Sequence, residues 1–383
     1  MKYLFLLWSA LKRKKLRTLL TLLSLVVAFL LFGYLAAIKQ AFTQGVEVAG
    51  IDRLIVRHKV SIIQLLPKAY EARIEKVPGV SNAMHQTWFG GIYQKPTNFF
   101  AQIPVVPEEL FALYPEILLS QEEKSAWAKT RTGAILGRLT AERFGFEVGD
   151  RIPIINTTWQ QKSGGDTWYF DLVGIYDGAN RGTDTTQMFF RYDYFDEARR
   201  WGEGQIGWYV VKVDDADAAS RIAAAIDDEF ANSPEETKAE PEGAFLQGFA
   251  NQIGDVRSII IAIVTAVFFT ILLVTGNTMA YAVRERTNEL AVLKAIGFTD
   301  RAVLYLVLGE SLVLTGIGGA IGLALAGFLV SLGDPTGGSL PVFFIPAGAW
   351  LNGVILVFIM AVAAGFFPAL QAGRLRIADA LRR

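Results

Sequence analysis

Residues 281–327 read YAVRERTNELAVLKAIGFTDRAVLYLVLGESLVLTGIGGAIGLALAG, and their pattern decides the fold. They begin at the end of one long apolar run and finish inside another, with a charged segment, 283–300, in between. In that segment Val283, Leu290, Ala291, Leu293 and Ile296 supply an apolar surface. Arg284, Glu285, Arg286, Glu289 and Lys294 supply a polar one, as in a short amphipathic helix. Gly297 stands where a helix ends in the left-handed conformation, and Thr299 or Asp300 suits the cap of the next helix. Such an element gives whatever binds it a handle on two membrane spans. A helix that only rests on lipid headgroups is the plainer alternative.

Working outward, the chain of 383 residues is 52% hydrophobic, too apolar for an ordinary soluble protein, yet 19% charged. Its formal neutrality hides two opposite parts. Residues 40–255 hold 21 Lys and Arg against 31 Asp and Glu, and the remainder carries an equal basic excess. Cys is absent, which excludes disulfides and thiolate metal sites, and His58 and His85 are the only imidazoles. Histidine-based catalysis and zinc binding are therefore not expected.

A membrane-crossing helix needs about 20 apolar residues. Thr18–Ile38, Ser258–Val283 and Ala302–Leu332 qualify, and a fourth span, Trp350–Pro368, lies within the uncharged run 335–373. The first is too long for a signal peptide and lacks a small-residue cleavage site, so it reads as a retained anchor. Lys12, Arg13, Lys14, Lys15 and Arg17 precede it. Arg284, Arg286, Lys294 and Arg301 lie between the second and third spans, and Arg374, Arg376, Arg382 and Arg383 follow the fourth. The loop 333–349 has no Lys or Arg. The positive-inside rule then places both termini and the middle loop in the cytoplasm and residues 40–255 outside it. The basic run at 12–17 fixes topology or meets anionic lipid headgroups.

The expected organisation has three parts. Residues 1–39 form a basic amphipathic segment and the first span. Residues 40–255 form a large α/β domain of two subdomains, the second inserted at about 99–203. Residues 256–383 hold spans at about 256–283, 302–332 and 349–368 with a connecting helix at 284–298. Inside the domain, 52–60, 80–93, 150–155, 168–175 and 207–213 read as strands, and 66–76, 132–144 and 216–230 as helices. Residues 233–242 read as a mobile connection and 245–255 as a helical stalk into the second span. The aromatic stretch Trp88, Phe89, Tyr93, Phe99 and Phe100 is core, or alternatively a partner surface.

Motifs of catalysis are missing. GxxxxGK[ST], HExxH and GxSxG do not occur, and GAILGR at 133–138 has the wrong spacing for a phosphate loop. Gly316, Gly318, Gly319 and Gly322 suit close helix packing in lipid. Glu310 is the only acidic residue within a span and suits a structural polar contact, with Asn277 or Thr278 as candidate partners.

The runs ERTNELAVLKAIGF (285–298) and FPALQAGRLRIADALR (367–382) resemble the two signatures of FtsX/MacB-type ABC transporter permeases. The start LKRKKLRTLLTLLSLVVAF (11–29) resembles the family's N-terminal segment and first span. IEKVPGV (74–80), LTAERFGFEVGDRIPI (139–154) and FDLVGIYD (170–177) are similar to phrases of its periplasmic core domain. The resemblance implies four spans, a periplasmic domain after the first, and a coupling helix between the second and third. It implies a non-catalytic permease of the mechanotransmission kind in a bacterial inner membrane, whose ATP and Mg sit on a separate cytoplasmic ABC ATPase subunit. A second copy or a paralogous permease would complete a dimer. A periplasmic adaptor with an outer-membrane channel, or a lipoprotein chaperone, would receive the cargo. Membrane lipid is the surrounding medium, and neither nucleic acid nor metal is implied. The alternative is a regulator that transmits ATPase state to a periplasmic cell-wall hydrolase.

Overall fold

The structure is a computed structural model that describes residues 14–48, 50–180, 182–253, 256–336, 340 and 342–375. These fall into two units, one built from Ala41–Gly254 with Asp334–Val342 and the other from the rest of the chain.

In the first unit the strands run, in chain order, β1 Arg53–His58, β2 Leu66–Pro67, β3 Val80–Gln86, β4 Gln102–Val105, β5 Ile117–Leu118 and β6 Gly133–Gly137. They continue as β7 Arg151–Ile155, β8 Thr167–Gly178, β9 Met188–Arg191, β10 Gln205–Ile206, β11 Trp208–Val213 and β12 Thr237–Pro241. One antiparallel sheet has the order β12-β1-β11-β3, and a mixed sheet has the order β4-β9-β6-β8-β5 with β7 also paired to β8. The second sheet lies wholly between β3 and β11 in the chain. Because side chains alternate along a strand, Leu54 and Val56 enter one apolar cluster and Ile55 the other. In β6, Ala134 and Leu136 join the first of those clusters and Ile135 the second. Both sheets are thus covered on both faces by common cores.

Three local expectations change. Residues 132–144 hold strand β6 followed by a helix, Arg138–Phe144. A short buried apolar run reads equally as strand or helix. Gly137 decides it: an added Cβ would lie 2.0 Å from the Thr185 carbonyl oxygen, so the backbone there must pack against its neighbour. Residues 66–76 are a short strand, a 3₁₀ turn and a single helical turn, Glu71–Ile74. Residues 233–242 are no loose connection. They include β12, an edge strand pinned where Asp227 accepts from Thr237 Oγ1 (2.9 Å) and the Ala239 amide (2.8 Å). Pro241 is tolerated at such an edge. The aromatic stretch divides: Phe89 and Phe100 are buried, whereas Trp88 and Phe99 are exposed and touch each other.

Arg53, the first residue of β1, is buried and joins three segments. Its guanidinium donates to Glu242 (2.6 Å), to Glu116 (2.8 Å) and to the Leu113 carbonyl (3.0 Å). It also lies 4.5 Å over the Tyr114 ring. Glu242 opens the helix Glu242–Ile253, the beginning of the expected stalk. The junction at 254–255 lies outside the described residues.

Among the described residues four helices are long and apolar enough to cross a membrane: Lys15–Ala41, Ser258–Glu285, Asp300–Ser331 and Ala347–Gly373. The last runs through Pro368, where the sequence had suggested an end. Leu25, Phe29, Phe268, Leu314, Leu323, Val357 and Met360 form a core drawn from all four. Glycines on the third helix allow the close approach. An added Cβ would lie 2.6 Å from Leu25 Cβ at Gly318, 2.3 Å from Val357 at Gly319, and 2.5 Å from the Val26 carbonyl oxygen at Gly322. Gly316 does not share this role, because a Cβ there meets nothing within 4 Å.

Candidate coupling site

The connecting helix is shorter than 284–298. Arg284 and Glu285 complete the last turn of the second span, Arg286 breaks the helix, and Thr287–Ala295 forms the short element. Its end is a Schellman turn: Gly297 N–H donates to Lys294 O and Phe298 N–H to Leu293 O, both at 3.0 Å. Gly297 has φ +107°, which explains a glycine there. Thr299 Oγ1 then accepts from the Ala302 amide (3.2 Å) and caps the third span.

The apolar side of this element packs inward. Leu290 joins Met279 and Val283 of the second span, Val303 and Val307 of the third, and Ala369 and Ala372 of the fourth in one cluster, with Leu293 and Phe298 at its edge. Burying a leucine contributes about 2 kcal/mol, so the helix is held on the ends of three spans rather than hanging from two. Ile296, expected on this apolar side, is instead 69% exposed, and Val292 beside it is 49% exposed.

The polar residues divide into two groups. Arg284 and Glu289 are exposed. Glu285 is also at the surface, where its carboxylate receives Lys14 (2.5 Å) and Arg17 (2.8 Å) from the start of the first helix. Arg286 turns inward and meets Glu310 at 3.0 Å, with the two side chains 14% and 9% exposed. Glu310 therefore has a partner that the sequence did not suggest, and neither Asn277 nor Thr278 fills that place. Thr278 donates instead to the Val274 carbonyl (2.8 Å). Lys294 is likewise not on a free polar face. Its side chain is 5% exposed, and its ammonium donates to the carbonyls of Gly373 (2.7 Å) and Leu375 (2.9 Å) while pairing with Asp300 (2.8 Å). A lysine at the C-terminal end of the fourth helix satisfies orphan carbonyls and opposes the helix dipole.

The site is thus a short helix locked by two inward cations, Arg286 and Lys294, that offers Val292, Ile296 and Glu289 outward. Sequence periodicity missed Val292, which lies between the two faces. The Glu285 pairings join residues about 270 positions apart and left no local signal.

Residues 260–377 match the model of the FtsX-like permease C-terminal family. An ABC transporter permease of Methanocaldococcus jannaschii is 22% identical over 97% of this chain and 95% of its own length. The macrolide export ATP-binding/permease protein MacB of Nitrobacter winogradskyi is 36% identical over 28% of this chain, but only 16% of MacB is covered. Among solved structures, the periplasmic region of MacB from Actinobacillus actinomycetemcomitans aligns with 53% of this chain and 94% of its own, at 12% identity and a TM-score of 0.37. Residues 260–377 match the FtsX-like permease C-terminal family, and over nearly its whole length the chain is similar to an ABC transporter permease.

Proposed function

We propose that this chain is the transmembrane subunit of an ABC transporter and that Thr287–Ala295 receives the stroke of an ABC ATPase in the cytoplasm. ATP and Mg bind that ATPase, which is a partner chain. The termini share its side of a bacterial inner membrane, and Ala41–Gly254 works on the opposite side. The cargo is exported or extracted from the periplasm or outer leaflet, and relatives with export in their names, for macrolides and for pyoverdine, support that direction.

One observation carries the reading. The short helix is packed inward on three spans while Val292 and Ile296 protrude. Exposed apolar knobs on a rigid support suit insertion into a groove of another protein, where buried anchors supply most of the binding energy. Displacing this helix must shift the ends of the second, third and fourth spans together, because Leu290, Arg286 and Lys294 fasten it to all three. No catalytic step in the chain is required. The test is to replace both knobs, Val292→Asp with Ile296→Asp, in the tagged full-length chain. Co-purification of an ABC ATPase should fall at least about tenfold, with ATP turnover no longer coupled to transport in lipid nanodiscs. Undiminished association would refute the assignment.

A further inference from the structure

We propose that the second spanning helix pairs in parallel with the same helix of a second copy of this chain, along Ile259, Ile263, Ala266, Thr270, Leu273 and Asn277. The inference rests on reading Val256–Glu285 as a membrane span and names the face by which a dimer forms. It does not depend on ATPase coupling.

The starting point is Asn277. Its side chain is exposed and has no hydrogen-bond partner among the described residues. It lies eight residues before Glu285, about 12 Å along the helix axis, too deep for a short amide to reach the headgroups. Three hydroxyls on the same helix are satisfied where they stand, whereas that of Thr275 is buried without a partner. Thr265, Thr270 and Thr278 donate to the carbonyls of Ile261, Ala266 and Val274 at 2.7–2.8 Å. A carboxamide cannot close its two donors and its acceptor on its own helix in this way, and bare amide groups in hydrocarbon are costly.

The surrounding face fits a helix rather than lipid alone. The six positions recur in alternate steps of four and three, and all six are exposed in this chain. That is the 3.5-residue repeat of a left-handed helix pair. Ile263, Thr270 and Asn277 occupy one type of seam position, and Ile259, Ala266 and Leu273 the other. A single Asn among β-branched residues is a known means of fixing register and pairing number. An identical amide across a two-fold axis supplies both the donor and the acceptor that Asn277 lacks. The second helix is also the least covered of the four: 17% of its most apolar stretch is buried, against 33–44% for the others. On the first helix the large exposed residues, such as Leu16, Leu23 and Val27, are apolar and need only lipid. Asn352 on the fourth sits five residues into its helix, near the boundary.

The cysteine-free chain makes the test clean. Ile263→Cys and Leu273→Cys should each give disulfide-linked homodimers when membranes containing the full-length chain are oxidised. Ile261→Cys, 51% exposed on the far side of the same helix, should stay monomeric. Asn277→Leu should weaken self-association in a vesicle dilution series on the order of tenfold, read by energy transfer between labelled copies. The proposal is overturned by equal cross-linking at Ile261 and Ile263, by no homodimer at either seam position, or by linkage only to a different chain. Unchanged association of Asn277→Leu overturns the role of the amide. These readouts need no ATPase, so they can succeed where the ATPase test fails, and the reverse.

Discussion

Two inward-turned arginines, Arg53 and Arg286, are held in different ways. Arg53 binds Glu242, Glu116 and the Leu113 carbonyl and rests on Tyr114, so three chain segments meet at one guanidinium. Arg286, the break between two helices, closes on the carboxylate of Glu310. The first arrangement is a junction with many arms, which resists being opened because every arm must yield at once. The second joins one turn to one helix, and a small rotation of Thr287–Ala295 changes it. A rotation of Thr287–Ala295 is therefore expected to alter the Arg286 contact.

The largest effect should come from opening the junction. Arg53→Met leaves Glu242 and Glu116 without their cation, and breaking a buried pair in this way costs about 4 kcal/mol. Hydrogen exchange of the full-length chain should show β1 and β12 losing protection to that extent, while Arg286→Met should cost about 3 kcal/mol, confined to Thr287–Ala295. If both losses spread over the whole chain, the contrast between a junction and a movable contact fails. A middle effect tests whether the third helix is a firm anchor for Glu310. Gly322→Val forces a side chain against the Val26 carbonyl and should cost about 2 kcal/mol, whereas Gly316→Ala should stay within about 0.5 kcal/mol in thermal unfolding. Equal costs would show that the helices do not touch where Gly322 brings them together.

The smallest effect concerns the helix Pro107–Leu113, whose last carbonyl receives Arg53. Burial pushes the Glu109 carboxyl up to about 7, and Glu71 and Glu75 add to the rise. The folded value is raised, so the protonated carboxyl favours the fold below the ordinary carboxylate range, and that contribution is lost as pH rises through about 7. Exchange protection of this helix should fall by about 1 kcal/mol between pH 5 and 8, a figure discounted because the residue is partly exposed, and Glu109→Gln should abolish the difference. A flat profile in the unmodified chain would remove Glu109 from the surroundings of the junction.

The same contrast shows what the sequence could disclose. The spans were legible because hydrocarbon demands a long apolar run, and so were Gly297 and Thr299, because a helix end must satisfy its own backbone groups locally. Partners across the fold were not. Glu310 is 24 residues from Arg286, beyond a break and a short helix, and nothing in the spacing joins them. Lys294 was assigned outward by residue type, yet its long stem lets the ammonium reach carbonyls at the end of another helix. Strand β6 was read as helix because five buried residues show no period.

The order of the strands has a consequence for synthesis. β1 is the first strand made, and its two sheet neighbours, β11 and β12, are the last two. About 150 residues separate β1 from β11 and about 180 separate it from β12, roughly eight to thirty-five seconds at ordinary translation speeds. Throughout that interval the strand Arg53–His58, with Leu54, Ile55 and Val56 at its centre, has both edges open to any other unpaired strand. The sheet closes only when the chain leading into the second span has been made, so completion of the domain and delivery of that span to the bilayer become nearly the same event.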